Sequence, residues 1–111
     1  MPLNLAQFVA SDRRNAWIRE GVLDIYVRRH NLWIDQRGVL VLALANMASR
    51  KPGKGAYRKF LAELQHSLPQ EFAGIFVECI HNERLYEFHV KLGGWKPYGF
   101  QADHSLVWFR P

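Results

Sequence analysis

Apolar positions recur along this chain with two different periods. From Val22 to Arg29 they alternate, Leu23, Ile25 and Val27 falling on one face and Asp24, Tyr26 and Arg28 on the other, which predicts a half-buried strand. A turn at Arg29–Asn31 leads to a second strand over Leu32–Gln36. Gly38 then opens Val39–Asn46, an almost unbroken apolar run of the kind a central strand buried on both faces requires. These three strands predict an antiparallel meander. Upstream, Leu5, Phe8 and Val9 predict a short helix. Ser11 can cap a second over Asp12–Arg19, with Trp17 and Ile18 inward and Gly21 closing it.

Beyond the apolar run the spacing becomes helical. Arg50-Lys51-Pro52-Gly53-Lys54-Gly55 is a basic, glycine-rich turn, and Ala56, Phe60, Leu61 and Leu64 follow at spacings of three and four. Leu68-Pro69 ends that helix. Phe72–Ile80 predicts another strand, which after a crossover helix runs parallel to the central one. Asn82 caps a helix from Glu83 to Leu92, closed by Gly93-Gly94, and two strands at Trp95–Phe100 and Leu106–Phe109 form a terminal hairpin. The chain therefore reads as a single domain over residues 1–111, of class α+β, with a mixed central sheet, an antiparallel meander, two crossover helices and a C-terminal hairpin. No repeat or linker interrupts it.

Composition narrows the partners. Fifteen Lys+Arg stand against 10 Asp+Glu, a formal charge of +5, which favours an anionic partner such as a phosphorylated cofactor, a nucleic acid or an acidic protein. One cysteine, Cys79, excludes an intrachain disulfide and fits a reducing compartment. No apolar stretch approaches the roughly 20 residues of a membrane span, and Met1-Pro2-Leu3-Asn4 lacks the features of a signal peptide, so a cytoplasmic protein is expected. His30, His66 and His104 are too scattered to suggest a metal site.

The order of elements, with two local motifs, resembles the GCN5-related N-acetyltransferase superfamily over about residues 22–111. Arg50-Lys51-Pro52-Gly53-Lys54-Gly55 satisfies the family's phosphate-loop pattern Gln/Arg-x-x-Gly-x-Gly/Ala, and a register shifted by two residues aligns Phe60 and Leu61 with its core positions. Both registers keep Gly53, Lys54, Gly55 and Ala56 in the loop. Asn82-Glu83-Arg84-Leu85-Tyr86-Glu87-Phe88-His89-Val90-Lys91-Leu92-Gly93 is similar to the family's Asn-x-x-Ala/Leu-x-x-Phe-Tyr-x-Lys-x-Gly-Phe segment, with His89 at the tyrosine and Gly94 as an extra residue before Trp95. The shortest relatives of this type are compact acetyltransferase-like proteins, often from bacteriophages. A usual member begins with a strand before two helices; here the helices are expected without the strand.

The resemblance implies a three-layer α/β arrangement, acetyl-CoA as cofactor and transfer of an acetyl group to an amine. Gly53 and Gly55 allow backbone N–H groups to approach the pyrophosphate, the helix N-terminus adds partial positive charge, and Arg50, Lys51 and Lys54 supply cations. Backbone N–H groups at Asn46-Met47-Ala48 are placed to polarise the thioester carbonyl, and Asn82 adds a cofactor contact. His89 takes the place of the leaving-group acid and Glu78, near the end of its strand, that of a base acting through water; His81 is a second candidate there. The acceptor stays open between a protein amine, an aminoacyl-tRNA and a small molecule. The alternative is a non-catalytic protein of the same fold that holds a host protein or nucleic acid on its basic surface. A missing first strand would leave a free sheet edge, for which a homodimer is the expected remedy.

Overall fold

Period-two alternation starts earlier in the chain than the sequence suggests. In the computed structural model, which describes residues 3–51, 55–78, 80, 83–99 and 104–111, strand β1 spans Asn15–Glu20 where a second helix was expected. Ala16 and Ile18 are buried while Asn15, Trp17 and Arg19 are exposed, and the segment pairs with the next strand from Asn15↔Arg28 to Glu20↔Leu23. Gly21, at φ 58°, turns the hairpin. A short helix, α1 (Leu5–Ala10), precedes β1 and is closed at its start by a capping box between Asn4 and Gln7. Leu3 lies along the outer edge of β1 as a parallel bridge to Ile18, and its carbonyl accepts from Arg19 N–H at 2.7 Å. The edge that motivated a homodimer is therefore engaged at this point.

Strand β2 (Leu23–Ile34) runs straight through the expected turn at Arg29–Asn31. Tertiary contacts hold those residues extended. The Arg29 guanidinium sits 4.7 Å from the Phe8 ring centroid and donates to Val9 O at 2.9 Å, while His30 stacks on Phe76 at 5.6 Å. The turn falls instead at Asp35–Gln36, with φ of 50° and 66°. Strand β3 (Arg37–Ser49) returns antiparallel, from Ile34↔Arg37 to Leu23↔Ser49.

Helix α2 (Ala56–Ser67) then crosses over, so that β4 (Gly74–Val77) pairs parallel with β3 from Val41↔Gly74 to Leu44↔Val77. Helix α3 (Glu83–Leu92) leads to β5 (Trp95–Pro97), and β6 (Leu106–Phe109) inserts between β5 and β4. The six-stranded mixed sheet has the order β1-β2-β3-β4-β6-β5.

Val41, Leu42, Ala43 and Leu44 are at most 1% exposed, which makes β3 the central strand its composition predicts. Its side chains alternate between two clusters. Leu42 and Leu44 join Ile75, Val77 and Leu106 under Phe8 of α1 and Phe60, Leu61 and Leu64 of α2, with Leu85 and Phe88 of α3 packed alongside. Val41 and Ala43 meet Leu32, Phe76 and Val107 on the opposite face, where the cluster draws on strands and Tyr98. Each fully buried Leu, Ile or Phe adds about 1.5–3 kcal/mol of transfer free energy, so the helical face carries most of the stability.

Gly74 starts β4 where it runs tight against β6. A Cβ there would lie 2.1 Å from Trp108 O and 3.0 Å from Phe109 Cα, backbone atoms that cannot swing aside. Gly74→Ala is therefore expected to destabilise the fold by about 2 kcal/mol or more through overpacking, read as a drop in melting temperature; an unchanged melting temperature would contradict this packing.

Candidate functional site

The site begins where two parallel strands part. Pairing of β3 with β4 ends at Leu44↔Val77, with one further bond from Glu78 N–H to Leu44 O at 3.2 Å, while β3 continues to Ser49 alongside β2 alone. The register of β3 on β2 jumps here too: Val27 faces Leu44 and Tyr26 faces Asn46, leaving Ala45 as the extra residue of a β-bulge. The bulge re-aims the strand just as β4 stops. The result is a wedge between the carboxyl ends of β3 and β4, the place where open sheets with crossover helices bind ligands.

Asn46, Met47 and Ala48 line the β3 side of that wedge. Asn46 and Ala48 are exposed and Met47 is half-buried, and Met47 N–H donates to the Asn46 side-chain oxygen at 2.8 Å. On the β4 side, Glu78 forms an ion pair with Arg28 of β2, 3.5 Å between Oε2 and Nη1. Glu78 and Phe76 alternate onto the strand-lined face, away from the helices.

The loop after β3 reaches α2 through Gly55, whose φ of 71° places it in the left-handed region at the N-cap. Glycine adopts this conformation without the penalty a side chain brings. Among the described residues no side chain caps α2 and its first turn holds no acidic residue, so none of them takes up the first N–H groups at Ala56 and Tyr57, which have the helix dipole behind them. Lys51 is exposed, its N–H donating to Ser49 Oγ at 3.3 Å. Gly53, Lys54 and Asn82, together with Pro52, Cys79 and His81, lie outside the described residues. Arg50 is occupied elsewhere: its guanidinium donates to Gly21 O and lies 3.7 Å from the Asp24 carboxylate, tying the loop to the β1–β2 turn.

His89 is completely buried, ringed by Tyr57, Phe88 and Trp95. A backbone carbonyl only accepts, so the 2.8 Å contact to Leu85 O places a proton on Nδ1. Nε2 is then the acceptor for the Tyr57 hydroxyl at 2.7 Å. Burial lowers the pKa of His89, the Leu85 carbonyl acting in the opposite direction, and burial raises that of Tyr57. Both groups are thus neutral at pH 7, and the proton between them belongs to the tyrosine. The expectation that His89 delivers a proton to a leaving group meets a ring whose Nε2 has none to give. What the pair does is bind the first turn of α2 to α3. Tyr57 was not singled out as functional from the sequence, although it precedes Leu61 by four residues on the apolar stripe of α2.

Because its folded-state pKa lies below the unfolded value of 6.5, His89 contributes stability that is whole above that pH and is lost as pH falls below it. The melting temperature should therefore decline from about pH 6.5 downward. His89→Phe should flatten that decline and cost about 1–3 kcal/mol at neutral pH, the cost of leaving the Tyr57 hydroxyl unpaired. A parent protein and variant with the same acid profile would show that the ring is not titrating with folding.

Neither a protein-family model nor a curated protein sequence matches this chain. Solved structures do. A tyrosine-to-phenylalanine mutant of the AtaT toxin, bound to the C-terminus of the antitoxin AtaR and acetyl-CoA, superposes with a TM-score of 0.60 at 19% identity, over 80% of this chain and 59% of that one. The same mutant bound to the AtaR C-terminus scores 0.61 with the same identity and coverage. The KacTA–DNA complex scores 0.64 at 15% identity, over 94% of this chain and 73% of the other. This chain thus spans about three fifths of the AtaT chains it matches. The mixed sheet, its wedge between β3 and β4 and these superpositions establish that the chain has the GCN5-related N-acetyltransferase fold.

Proposed function

We propose that this protein is an acetyl-CoA-dependent N-acetyltransferase. The observation that carries the reading is the uncapped N-terminus of α2, entered through left-handed Gly55, directly downstream of the wedge between β3 and β4. Free N–H donors and a dipole with no acidic residue in the first turn suit a pyrophosphate. Gly53, Lys54, Gly55 and Ala56 are assigned to this cradle, with Lys51 as a further cation and Asn82 as a contact from the start of α3. The acetyl-CoA found with the AtaT mutant supports the choice of cofactor.

When bound, acetyl-CoA supplies an activated acyl carbon and a thiolate leaving group. The chain's part is to place that carbon in the wedge and to stabilise charge on its oxygen through the backbone at Asn46-Met47-Ala48, where Met47 N–H would exchange the Asn46 side chain for the carbonyl. Glu78 is assigned as base, taking the amine's proton through water on the strand-lined face while Arg28 holds it in place. Attack forms the C–N bond and breaks the C–S bond. With His89 Nε2 accepting from Tyr57, the assignment of His89 changes from acid to positioning residue, and the thiolate, of ordinary pKa near 8.5, takes its proton from solvent. The acceptor is a protein amine, an aminoacyl-tRNA or a small amine.

A second reading has one observation in its favour. The KacTA neighbour is a DNA complex, and this chain carries a net charge of +5, which suits a non-catalytic protein that holds nucleic acid or protein on its basic surface.

Acetyl-CoA should raise the melting temperature, and Gly55→Val, which forces a β-branched side chain into the left-handed region, should abolish the rise. Lys54→Ala should weaken cofactor binding about 5- to 30-fold, the loss of one charge-assisted phosphate contact. Glu78→Gln should slow thiol release about 100-fold or more with cofactor affinity retained. Absence of any shift with millimolar acetyl-CoA, alongside tight binding of a nucleic acid, would favour the non-catalytic reading instead.

A further inference from the structure

A cavity lies at the other end of the sheet, away from the wedge. It has a volume of about 540 Å³ and opens where the β2–β3 hairpin, the segment between α2 and β4 and the residues after β6 converge. Its apolar lining comes from Ile34, Val39, Leu40, Phe72 and Phe109. A cavity of this size lies within the range of small-molecule sites, which combine apolar walls with a few placed polar groups.

The placed groups here are two arginines. Arg110 is built into the wall: its Nη2 donates to Pro69 O at 2.8 Å and Phe72 O at 2.6 Å, and its Nε to Phe72 O at 3.2 Å. These carbonyls orient the guanidinium without neutralising it. Arg37 also lines the cavity, exposed, at the first position of β3, and makes no ion pair among the described residues. Two carboxylates also line the cavity. The lining is thus balanced, Arg37 and Arg110 against Asp35 and Glu71, and Arg29, which pairs with Glu71 at 3.4 Å from outside the lining, leaves this end of the sheet with an excess of one positive charge. Asp35 and Gln36 present this rim from a turn in which both have positive φ, a conformation costing non-glycine residues about 1–2 kcal/mol each. The hairpin therefore holds its side chains at the cavity mouth despite a conformation that glycine would adopt more easily.

We infer that this cavity is a second binding site, separate from the acetyl-transfer site, for a small amphipathic carboxylate whose apolar body lies against Ile34, Val39 and Phe109 and whose carboxylate is taken by Arg37 and Arg110. The planar guanidinium of Arg37 can meet a carboxylate with two parallel hydrogen bonds, while Arg110, whose Nε and Nη2 are given to the carbonyls of Leu68, Pro69 and Phe72, has Nη1 left to offer. The inference does not depend on the acetyltransferase reading, because no wedge or phosphate-loop residue lines the cavity.

The test uses the full chain with octanoate, benzoate and indole-3-acetate as probes, their primary amides as uncharged controls, and calorimetric titration as readout. At least one carboxylate should bind saturably with a Kd below about 1 mM, its amide at least about tenfold more weakly, and Arg37→Gln should weaken the carboxylate at least about fivefold while Lys96→Gln, on the far strand β5, leaves it unchanged. Binding should persist with acetyl-CoA present. The inference is overturned if no carboxylate saturates, if the amides bind equally well, if Arg37→Gln has no more effect than Lys96→Gln, or if acetyl-CoA displaces the carboxylate, which would put it in the wedge. Failure here leaves the acetyl-CoA-induced melting shift as it was, so the two readings fail separately.

Discussion

The parallel pairing of β3 with β4, and its end at Leu44↔Val77, is the constraint on which the rest of this structure depends. Parallel strands cannot be joined by a tight turn, so the chain between them must cross over, and α2 is that crossover. Its N-terminus therefore stands at the carboxyl end of β3. There the bulge at Ala45 diverts the strand just as β4 ends, and the wedge opens in front of the uncapped first turn of α2. A helix N-terminus and the gap between two parting strands thus come to one place through chain connectivity.

Two contacts hold this geometry from behind. The Tyr57–His89 hydrogen bond ties the first turn of α2 to α3, and its proton placement follows from the one acceptor-only partner, Leu85 O. Arg50 ties the start of the loop between β3 and α2 to the β1–β2 turn through Gly21 O and Asp24. Both residues looked like cofactor or reaction chemistry in the sequence. In the structure each is committed to neighbours, and among the described residues Lys51 is the exposed cation at the start of this loop.

The two faces of the sheet divide the work. Buried area is concentrated under the helices, where Leu42, Leu44, Ile75 and Val77 meet α1 and α2. The strand-lined face carries a smaller cluster and more polar chemistry: Arg28 with Glu78, His30 on Phe76, and Trp17 at 50% exposure against Tyr26. An acceptor approaching the wedge from this face would leave the stabilising core undisturbed.

The sequence by itself determined the central strand, the two crossover helices and the loop between strand and helix, because Val39–Ala45 is continuously apolar and the runs after Ala56 and Glu83 repeat at three and four. These are local signals, and local backbone preference agrees with them. What only the tertiary structure decided were the features whose cause lies far along the chain. Asn15–Glu20 is a strand because β2 pairs with it, although Ser11 and Gly21 bracket it as they would a helix. Arg29–Asn31 stays extended because Phe8, Val9 and Phe76 hold it so, and the turn is displaced to Asp35–Gln36, which carry no glycine to announce it. His89 has its tautomer fixed by Leu85 O one helical turn before it, which leaves Nε2 to accept from a tyrosine 32 residues away, a partner that no motif spacing can report.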